Sequence, residues 1–421
     1  MSDILNWIWL STKFPYASPF TDAVIEHFGY DADKIYSSDA EEYAKIKGLS
    51  PKYINALSDK SLDKAIKIFD WCTENNVGLL PYDSRFYPQR LRDTEKAPIM
   101  LYFKGRLINF DDNVCIAMVG TRRMTEYGKR EGYRISRDLV LGGAVVVSGM
   151  AGGVDTVCHR GALDAGGYTV AVLGCGIDRA YPPENEYIME EIAKSGLVIT
   201  EYRPFTPPYG SNFPMRNRII SGLSLGTIVV EADARSGALI TARLAEKQGR
   251  DIFSIPGNVG EMNSFGPNKL LKKGAKIVTG ALDILEEYEY LYPHRIRIEN
   301  LPAFMPKFNI SRTPSHSEEL GVRERKNAVN RDAHSRSVSA KSKSAKKAEE
   351  SAAPERLPEI DLSSLSDTER EIYLLFPEEK PISADELSRS GRSVAEVLQT
   401  LTMLEIKGFV KAAPGGMFAK L

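Results

Sequence analysis

Cysteine and histidine are scarce in this sequence. Its 421 residues include five histidines and four cysteines, and no two cysteines form a C-x-x-C pair; the cysteines are Cys72, Cys115, Cys158 and Cys175. This spacing argues against a zinc site or a disulfide framework and fits a reducing compartment. We therefore expect a cytoplasmic protein with no metal site.

A surplus of either charge is missing as well, and so is any long apolar run. The chain has 55 Lys and Arg against 56 Asp and Glu, a net charge of −1. A nucleic-acid site would therefore have to come from local placement of charge. No stretch approaches the ~20 apolar residues of a membrane span, and no basic segment precedes an apolar run at the N-terminus. We expect no membrane association and no signal peptide.

Six apolar, largely β-branched runs alternate with stretches long enough for crossover helices. They cover residues 114–119, 144–147, 169–173, 197–200, 227–230 and 251–255. This alternation predicts an α/β fold, a doubly wound, mostly parallel, Rossmann-like sheet, with its ligand site beyond the carboxyl ends of the strands. The turn at 120–125 reads G-T-R-R-M-T, and Arg179 replaces the third glycine of the turn that begins at Gly174. Both the dinucleotide and the P-loop fingerprints therefore fail.

The regions around the sheet predict two smaller domains and a linker. Residues 1–75 show short helical periodicity and predict a small all-α, SAM-like domain ahead of the sheet domain at 76–290. The turn Gly48-Leu49-Ser50-Pro51 is either half of a helix-hairpin-helix or a plain turn. Residues 291–357, rich in Ser, Ala, Lys and Arg, predict a disordered linker.

The last segment, 358–421, carries three capping boxes and a turn between two short apolar runs. The boxes pair Ser366 with Glu369, Ser383 with Glu386, and Ser393 with Glu396. Three helices followed by a two-stranded wing resemble a winged helix.

Arginines cluster at two predicted helix starts. Pro214 suits the first position of a helix, which would place Arg216 and Arg218 in its first turn, where the helix dipole disfavours cations. An anion bound there would resolve the conflict, and we hypothesise a nucleic-acid phosphate. The alternative is that one arginine pairs with an internal carboxylate such as Glu231. Arg122 and Arg123 follow the first strand in the same way, and four cations at one sheet edge suit an extended polyanion.

Two further sets of residues leave alternatives open. Tyr209 and Phe213 either stack on bases or pack in the core. Asp155 and His159 are four residues apart and form either an acid–base pair or a structural pair at a helix start.

Several motifs in register resemble the DNA-processing protein A (DprA/Smf) family over roughly residues 80–285. They are Val119-Gly120-Thr121-Arg122, Ser148-Gly149-Met150-Ala151, His159-Arg160-Gly161-Ala162-Leu163, Leu173-Gly174-Cys175-Gly176, Phe213-Pro214, Arg216 to Ser224 and Ser236 to Ala242. The resemblance implies a protein that binds single-stranded DNA, loads the RecA recombinase during natural transformation, acts as a homodimer through the sheet domain, and has neither a cofactor nor a demonstrated catalytic role. It also implies a DNA site made of Gly120, Thr121, Arg122, Gly149, Phe213, Arg216, Asn217, Arg218 and Ser221.

Two other functions compete with that expectation. Related sheets occur in phosphoribohydrolase-like enzymes that bind nucleotides, but this chain lacks their Pro-Gly-Gly-x-Gly-Thr loop; Pro256-Gly257-Asn258 is its nearest approach. A sensor of small nucleotides would use the same pocket.

Overall fold

The computed structural model describes residues 2–302, 366–376, 382–383, 387–388, 394–407, 409–413 and 417–420. The chain divides into two compact units, Met1–Thr313 and Pro314–Leu421. Each unit is considered separately below. No helix among the described residues is long and apolar enough to cross a membrane.

A nine-stranded sheet forms the centre of the first unit. Its strands are β1 (Gly78–Pro81), β2 (Met100–Gly105), β3 (Cys115–Val119), β4 (Val145–Ser148), β5 (Thr169–Val172), β6 (Leu197–Thr200), β7 (Gly226–Val229), β8 (Asp251–Ser254) and β9 (Lys276–Ile277). Strands β3 to β9 pair in parallel, whereas β1 and β2 extend the sheet in antiparallel pairing beside β6. The predicted doubly wound, mostly parallel fold is confirmed.

The strand order reverses direction between β3 and β7. The order is β1-β2-β6-β5-β4-β3-β7-β8-β9, so the chain builds outward from β3 to β6 and then returns to the other side of β3. At such a reversal the crossover connections leave on opposite faces of the sheet and open a crevice beyond the carboxyl ends of the strands. The fold therefore places its ligand crevice at the ends of β3 and β7.

Helices cover both faces of the sheet. They are α7 (Gln89–Arg92), α8 (Glu126–Leu141), α9 (Val154–Asp164), α10 (Glu186–Ser195), α11 (Asn212–Gly222), α12 (Gly237–Lys247), α13 (Phe265–Lys272) and α14 (Leu282–Glu289). Neighbouring strand residues divide between two apolar clusters: Ile116 joins the cluster of α8, α9 and α14, and Ala117 the cluster of α10 and α11. Period-two side-chain alternation explains this division, because both faces are covered and buried.

Six short helices precede the sheet among the described residues, and the predicted all-α character of this region is confirmed. They are α1 (Ser2–Ser11), α2 (Pro19–His27), α3 (Ala32–Ser37), α4 (Ala40–Ala44), α5 (Pro51–Ser58) and α6 (Asp63–Glu74). Their buried side chains, such as Trp7 and Tyr43, belong to the same apolar cluster as Ile199 of β6. The helices thus share their core with the sheet.

The predicted linker begins too early. Ile296 is buried against the cluster of α8 and α14, and Arg297 donates its backbone N–H to the carbonyl of Gly142 at 3.0 Å. Residues 291–302 therefore belong to the sheet region, because apolar side chains at 296 and 301 continue its core. The remaining positions of that prediction, 303–357, lie outside the described residues.

The second unit contains α15 (Asp367–Leu374), α16 (Val394–Ile406), β10 (Ile382–Ser383), β11 (Val410–Ala413) and β12 (Met417–Lys420). The strands form a sheet in the order β10-β12-β11, and β11 and β12 are the predicted wing. The capping box of Ser366 and Glu369 is confirmed, with both reciprocal hydrogen bonds present. The other two boxes include Glu386 and Ser393, which lie outside the described residues.

Candidate functional site

A cleft of about 480 Å³ opens where the sheet reverses its strand order. The loop after β3 forms one wall, α11 forms a second and the start of α12 forms a third. The predicted site residues that line it are Gly120, Thr121, Arg122, Phe213, Arg216 and Asn217. Six of the nine predicted residues therefore meet in one place.

The loop after β3 is fixed at both ends by Glu231, the residue two positions beyond β7. The backbone N–H of Thr121 donates to the Glu231 carbonyl at 2.8 Å. The Glu231 carboxylate accepts from the backbone N–H of Thr125 at 2.9 Å and from its hydroxyl at 2.5 Å. Glu231 is thus committed to the start of α8. The alternative that one arginine of α11 pairs with an internal carboxylate is confirmed, but the carboxylate is Glu201, which pairs with Arg218.

Arg122 projects from this loop into solvent. Its guanidinium carbon lies 5.4 Å from the centre of the Phe213 ring, which is a cation–π distance. No salt bridge of Arg122 or Arg123 occurs among the residues that the structure describes. Two exposed cations without carboxylate partners therefore stand at the mouth of the cleft, beside an aromatic ring.

The Phe213 ring is packed against the protein over part of its surface and exposed over the rest. It is half-buried, lies 5.2 Å from the ring centre of Tyr181, and packs so closely on Gly174 that a Cβ there would come within 2.8 Å of it. Tyr209 behaves differently, since 59 % of it is exposed. Core packing is therefore excluded for Tyr209 and partly realised for Phe213.

Helix α11 begins at Asn212, two residues earlier than predicted. Pro214 is the third helical residue, a position that also needs no backbone N–H because the first four donors of a helix lack partners. Arg216 and Arg218 consequently lie in the second turn. The prediction that they sit at the positive end of the dipole is wrong.

Arg216 points inward and forms the floor of the cleft. It is 3 % exposed, and its Nη1 donates to the carbonyls of Gly149, at 2.5 Å, and Val172. A Cβ at Gly149 would come within 2.8 Å of Nη2, so only glycine leaves room for this arrangement. Arg216 therefore joins the carboxyl ends of β4 and β5, and the predicted Gly149 lies beneath the cleft.

Arg218 points away from the cleft. It is 6 % exposed, and its Nη2 donates to Glu201 at 2.5 Å in a buried salt bridge. Both residues line a small cavity of about 40 Å³ that also contacts Asp22 of α2. The Arg218 guanidinium is therefore used between α11 and the end of β6 and does not line the cleft, and its contact with DNA stays a prediction.

Of the two other predicted site residues on α11, one lines the cleft and one does not. Asn217 is half-buried and lines the cleft. Ser221 is fully buried and donates its hydroxyl to the Asn217 carbonyl at 3.2 Å. Ser221 is therefore part of the packing of α11 and does not reach the cleft.

No hydrogen bond or salt bridge joins Asp155 to His159. Burial raises the pKa of the Asp155 carboxyl to about 6, and the positive charge of Arg216 opposes that rise. Burial, with a smaller contribution from Arg216, lowers the pKa of His159 to about 3. The His159 ring instead bonds the hydroxyl of Thr169 at 2.8 Å. Neither alternative for this pair is confirmed; each residue is buried separately.

The third wall of the cleft belongs to the motif Ser236 to Ala242, which contributed to the family resemblance but was not assigned to the site from the sequence. Ser236 caps α12 by accepting from the backbone N–H of Ala238 at 3.3 Å, and a Cβ added at the neighbouring Gly237 would meet no atom within 4 Å. The signal was a Ser-Gly pair shortly after β7. It could be recognised only once β7 was known to be the neighbour of β3.

Comparison with known proteins agrees with this architecture. The family model described as DNA recombination-mediator protein A matches residues 78–289. A second, described as the DprA winged helix domain, matches residues 351–416.

Individual relatives show the same likeness. The chain is 32 % identical over 354 residues to Protein Smf of Escherichia coli (strain K12), covering 82 % of this chain and 78 % of that protein. It is 39 % identical over 214 residues to DNA processing protein DprA of Bacillus subtilis (strain 168), covering 51 % of this chain and 72 % of the relative. The X-ray structure of DNA processing protein A from Streptococcus pneumoniae aligns with a TM-score of 0.59 at 32 % identity, over 67 % of this chain and 97 % of that one.

Proposed function

Because this chain belongs to the DNA-processing protein A family, we propose that its cleft binds the phosphate backbone of single-stranded DNA. The observation that carries the proposal is Arg122, which is exposed, has no salt bridge within the described part of the chain, and lies over the Phe213 ring at the strand reversal. A guanidinium neutralises a phosphate, and an aromatic face beside it stacks on a base of any sequence. That combination suits a flexible strand, whose bases are free to turn toward the protein.

The other walls of the cleft support an anionic ligand. Helix α12 begins there with no acidic residue in its first turn. The Arg216 guanidinium is held mainly by carbonyl groups, which leave more of its charge uncancelled than a paired carboxylate would. Asp155 and Asp233 also line the cleft, so we assign the main attraction to Arg122 and Arg123 at its mouth.

Fluorescence anisotropy with labelled oligo(dT) of about 20 nucleotides, at about 50 and about 200 mM salt, tests the proposal. We expect Arg122→Ala to weaken binding by about tenfold or more, and to reduce the slope of log affinity against log salt by about 0.7 if one phosphate contact is lost. Lys247→Ala is the matched control, because Lys247 is an exposed cation at the opposite end of α12.

The result that contradicts the proposal is equal affinity of the wild-type protein and the Arg122 variant at both salt concentrations. A duplex of the same length should bind more weakly than the single strand, since its bases are not free to stack. Equal binding of the duplex would leave a phosphate site without preference for single strands.

We further propose that the protein loads RecA onto the bound strand during natural transformation. Family membership supports this step. It predicts faster assembly of RecA filaments on single-stranded DNA coated with a single-strand-binding protein when this chain is added, and the Arg122→Ala variant should lose the acceleration.

We also propose a homodimer formed through the sheet domain. Large apolar side chains stand exposed near the edge strand β9: Val259 at 98 %, Met262 at 76 %, Ile277 at 56 % and Phe265 at 52 %. An edge strand flanked by exposed apolar residues suits burial against another chain. A second copy is the occupant we propose.

A role without catalysis, in the cytoplasm, completes the proposal. Asp155 and His159, the acid–base candidates, are both buried and apart, which supports a binding role. The four cysteines carry free, buried thiols, which supports a reducing compartment. Release of free base from nucleoside monophosphates by the purified protein would contradict the first point.

A further inference from the structure

Two aromatic rings stand in solvent on the loop that connects β6 to α11. Phe205 and Tyr209 are each 59 % exposed, although large apolar side chains are usually buried. Phe205 also has a φ of 68°, in the left-handed region that residues with a Cβ rarely adopt. Strained backbone is concentrated at functional sites, so this position is a candidate for contact with a ligand.

The loop holds these rings in place by several hydrogen bonds. The backbone N–H of Phe205 donates to Asp178 at 2.6 Å, and that of Gly176 donates to the Thr206 carbonyl at 2.9 Å. Asp178 is in turn paired with Arg179 at 2.7 Å. The edge of the Trp71 ring supports Phe205, with ring centres 5.1 Å apart. The rings are therefore presented by an ordered loop.

The loop runs from the end of β6, across the end of β5, into the cleft. Gly210 lines the cleft directly after Tyr209, and Phe213 packs on Gly174 at the end of β5. Positions 205, 209 and 213 thus place three aromatic residues in succession along one edge of the sheet. Strands β5 and β6 lie on the side of the cleft away from β7, so this row leads outward from Arg122.

We propose that Tyr209 and Phe205 continue the binding track of the single strand beyond Phe213, each stacking on a successive base. The inference rests on the function proposed for the cleft and extends it along the sheet edge. A strand is the occupant that fits, because successive bases offer flat faces to successive rings whatever the sequence. Among the loop contacts just described, Asp178 is the acidic residue, and its charge is neutralised by Arg179. The loop contacts therefore present no unpaired negative charge to a strand that approaches the cations at the cleft.

Oligo(dT) of about 4 and about 12 nucleotides separates this extended track from the cleft itself. Loss of one stacking ring should weaken binding of the longer strand by about 5-fold to 150-fold. We expect Tyr209→Leu and Phe205→Leu to show this loss with the longer strand and to match the wild type with the shorter one, whereas Arg122→Ala weakens both. Tyr209→Phe, which keeps the ring, should bind as the wild type does.

Tyr290→Leu is the control, because Tyr290 is 93 % exposed and follows α14, whose Tyr288 reaches Asp251 at the opposite, amino end of β8. Equal loss for both lengths would mean that the leucine variants disturb the fold, and it would overturn the inference. So would unchanged affinity of both variants for the longer strand while Arg122→Ala remains weak; the cleft would then stand alone. If the wild-type protein bound neither oligonucleotide, the function proposed for the cleft would be contradicted, and the extended track with it.

Discussion

Three arginines near one edge of the sheet have three different environments, and their partners decide what each can do. Arg122 faces solvent and forms no salt bridge with any residue that the structure describes, Arg216 is held by main-chain carbonyls, and Arg218 is paired with Glu201. A cation that is already paired in a buried site gains little from a phosphate, because the strand would have to displace the carboxylate. Of these three arginines, Arg122 is the one that can change partners at low cost.

The buried pair of Arg218 and Glu201 predicts a large effect of removing one charge. In Glu201→Gln the guanidinium stays buried without a counter-charge, and we expect a loss of about 3 kcal/mol in the free energy of unfolding. The double variant Glu201→Leu with Arg218→Met removes both charges and should recover most of that loss. Urea unfolding followed by tryptophan fluorescence measures it well, because Trp7, Trp9 and Trp71 all lie in α1 and α6. A loss below about 0.5 kcal/mol in the single variant would show that the pair is solvated.

Asp155 predicts a pH dependence of stability with an unusual sign. Its folded pKa of about 6 lies above the ordinary 3.8, so between these values the folded state binds more protons than the unfolded state. The contribution of Asp155 to the free energy of unfolding should therefore fall by about 3 kcal/mol as the pH rises from about 4 to about 6, and stay low above that.

Asp155→Asn lacks this titration. The difference between wild type and variant, from urea unfolding at several pH values, should change across that window and be constant above it. A difference that does not vary with pH would mean that the carboxyl ionises normally in the folded protein.

At the scale of elements, the prediction for Arg216 and Arg218 depended on which residue begins α11. Pro214 identified a helix but not its first residue, because proline is tolerated throughout the first turn. A shift of two residues moved Arg216 and Arg218 out of reach of the dipole. Their burial followed from Glu201 and the carbonyls of β4 and β5, which are distant in sequence and could not be read from local spacing.

The N-terminus of α8 offers a test of how strongly the Arg122 loop is positioned. Thr125 caps the helix by accepting from the N–H of Gly128 at 3.2 Å and donates its hydroxyl to Glu231. Thr125→Ala should lower the free energy of unfolding by about 1 kcal/mol and weaken oligo(dT) binding less than Arg122→Ala does. Thr125→Ser keeps the oxygen and is the matched control. Equal losses for alanine and serine would assign the effect to the methyl group instead of the cap.

At the scale of the whole molecule, the sequence predicted which segments form strands better than it predicted the order of those strands in the sheet. Six of the seven parallel strands were predicted, since runs of buried β-branched residues signal themselves. Strand β9 was missed because it has two residues, and the place of the reversal between β3 and β7 depends on long-range pairing that periodicity does not encode. The third wall of the cleft was missed for the same reason.

The homodimer proposed through the sheet domain predicts a change of mass on substitution. Phe265→Asp places a charge among the exposed apolar residues beside β9, and burial of an unpaired charge in an interface is unfavourable. We expect light scattering after size-exclusion chromatography to give two chains per particle for the wild type and one for the variant. Tyr187→Asp, at a site 54 % exposed on α10, should leave the mass unchanged. Two chains in the Phe265 variant would place the interface elsewhere.

Helix α11 connects the sheet to the six helices that precede it, so the two regions do not have separate surfaces. Arg216 ties it to β4 and β5 on one side, while Arg218 and Asp22 meet in the cavity on the other. A shortened protein starting at Gly78 would expose Arg218 and the apolar side chains that pack against the first six helices to water. A truncated version for crystallography or single-molecule work would therefore need substitutions at these exposed positions, since the first six helices stabilise the sheet as its own strands do.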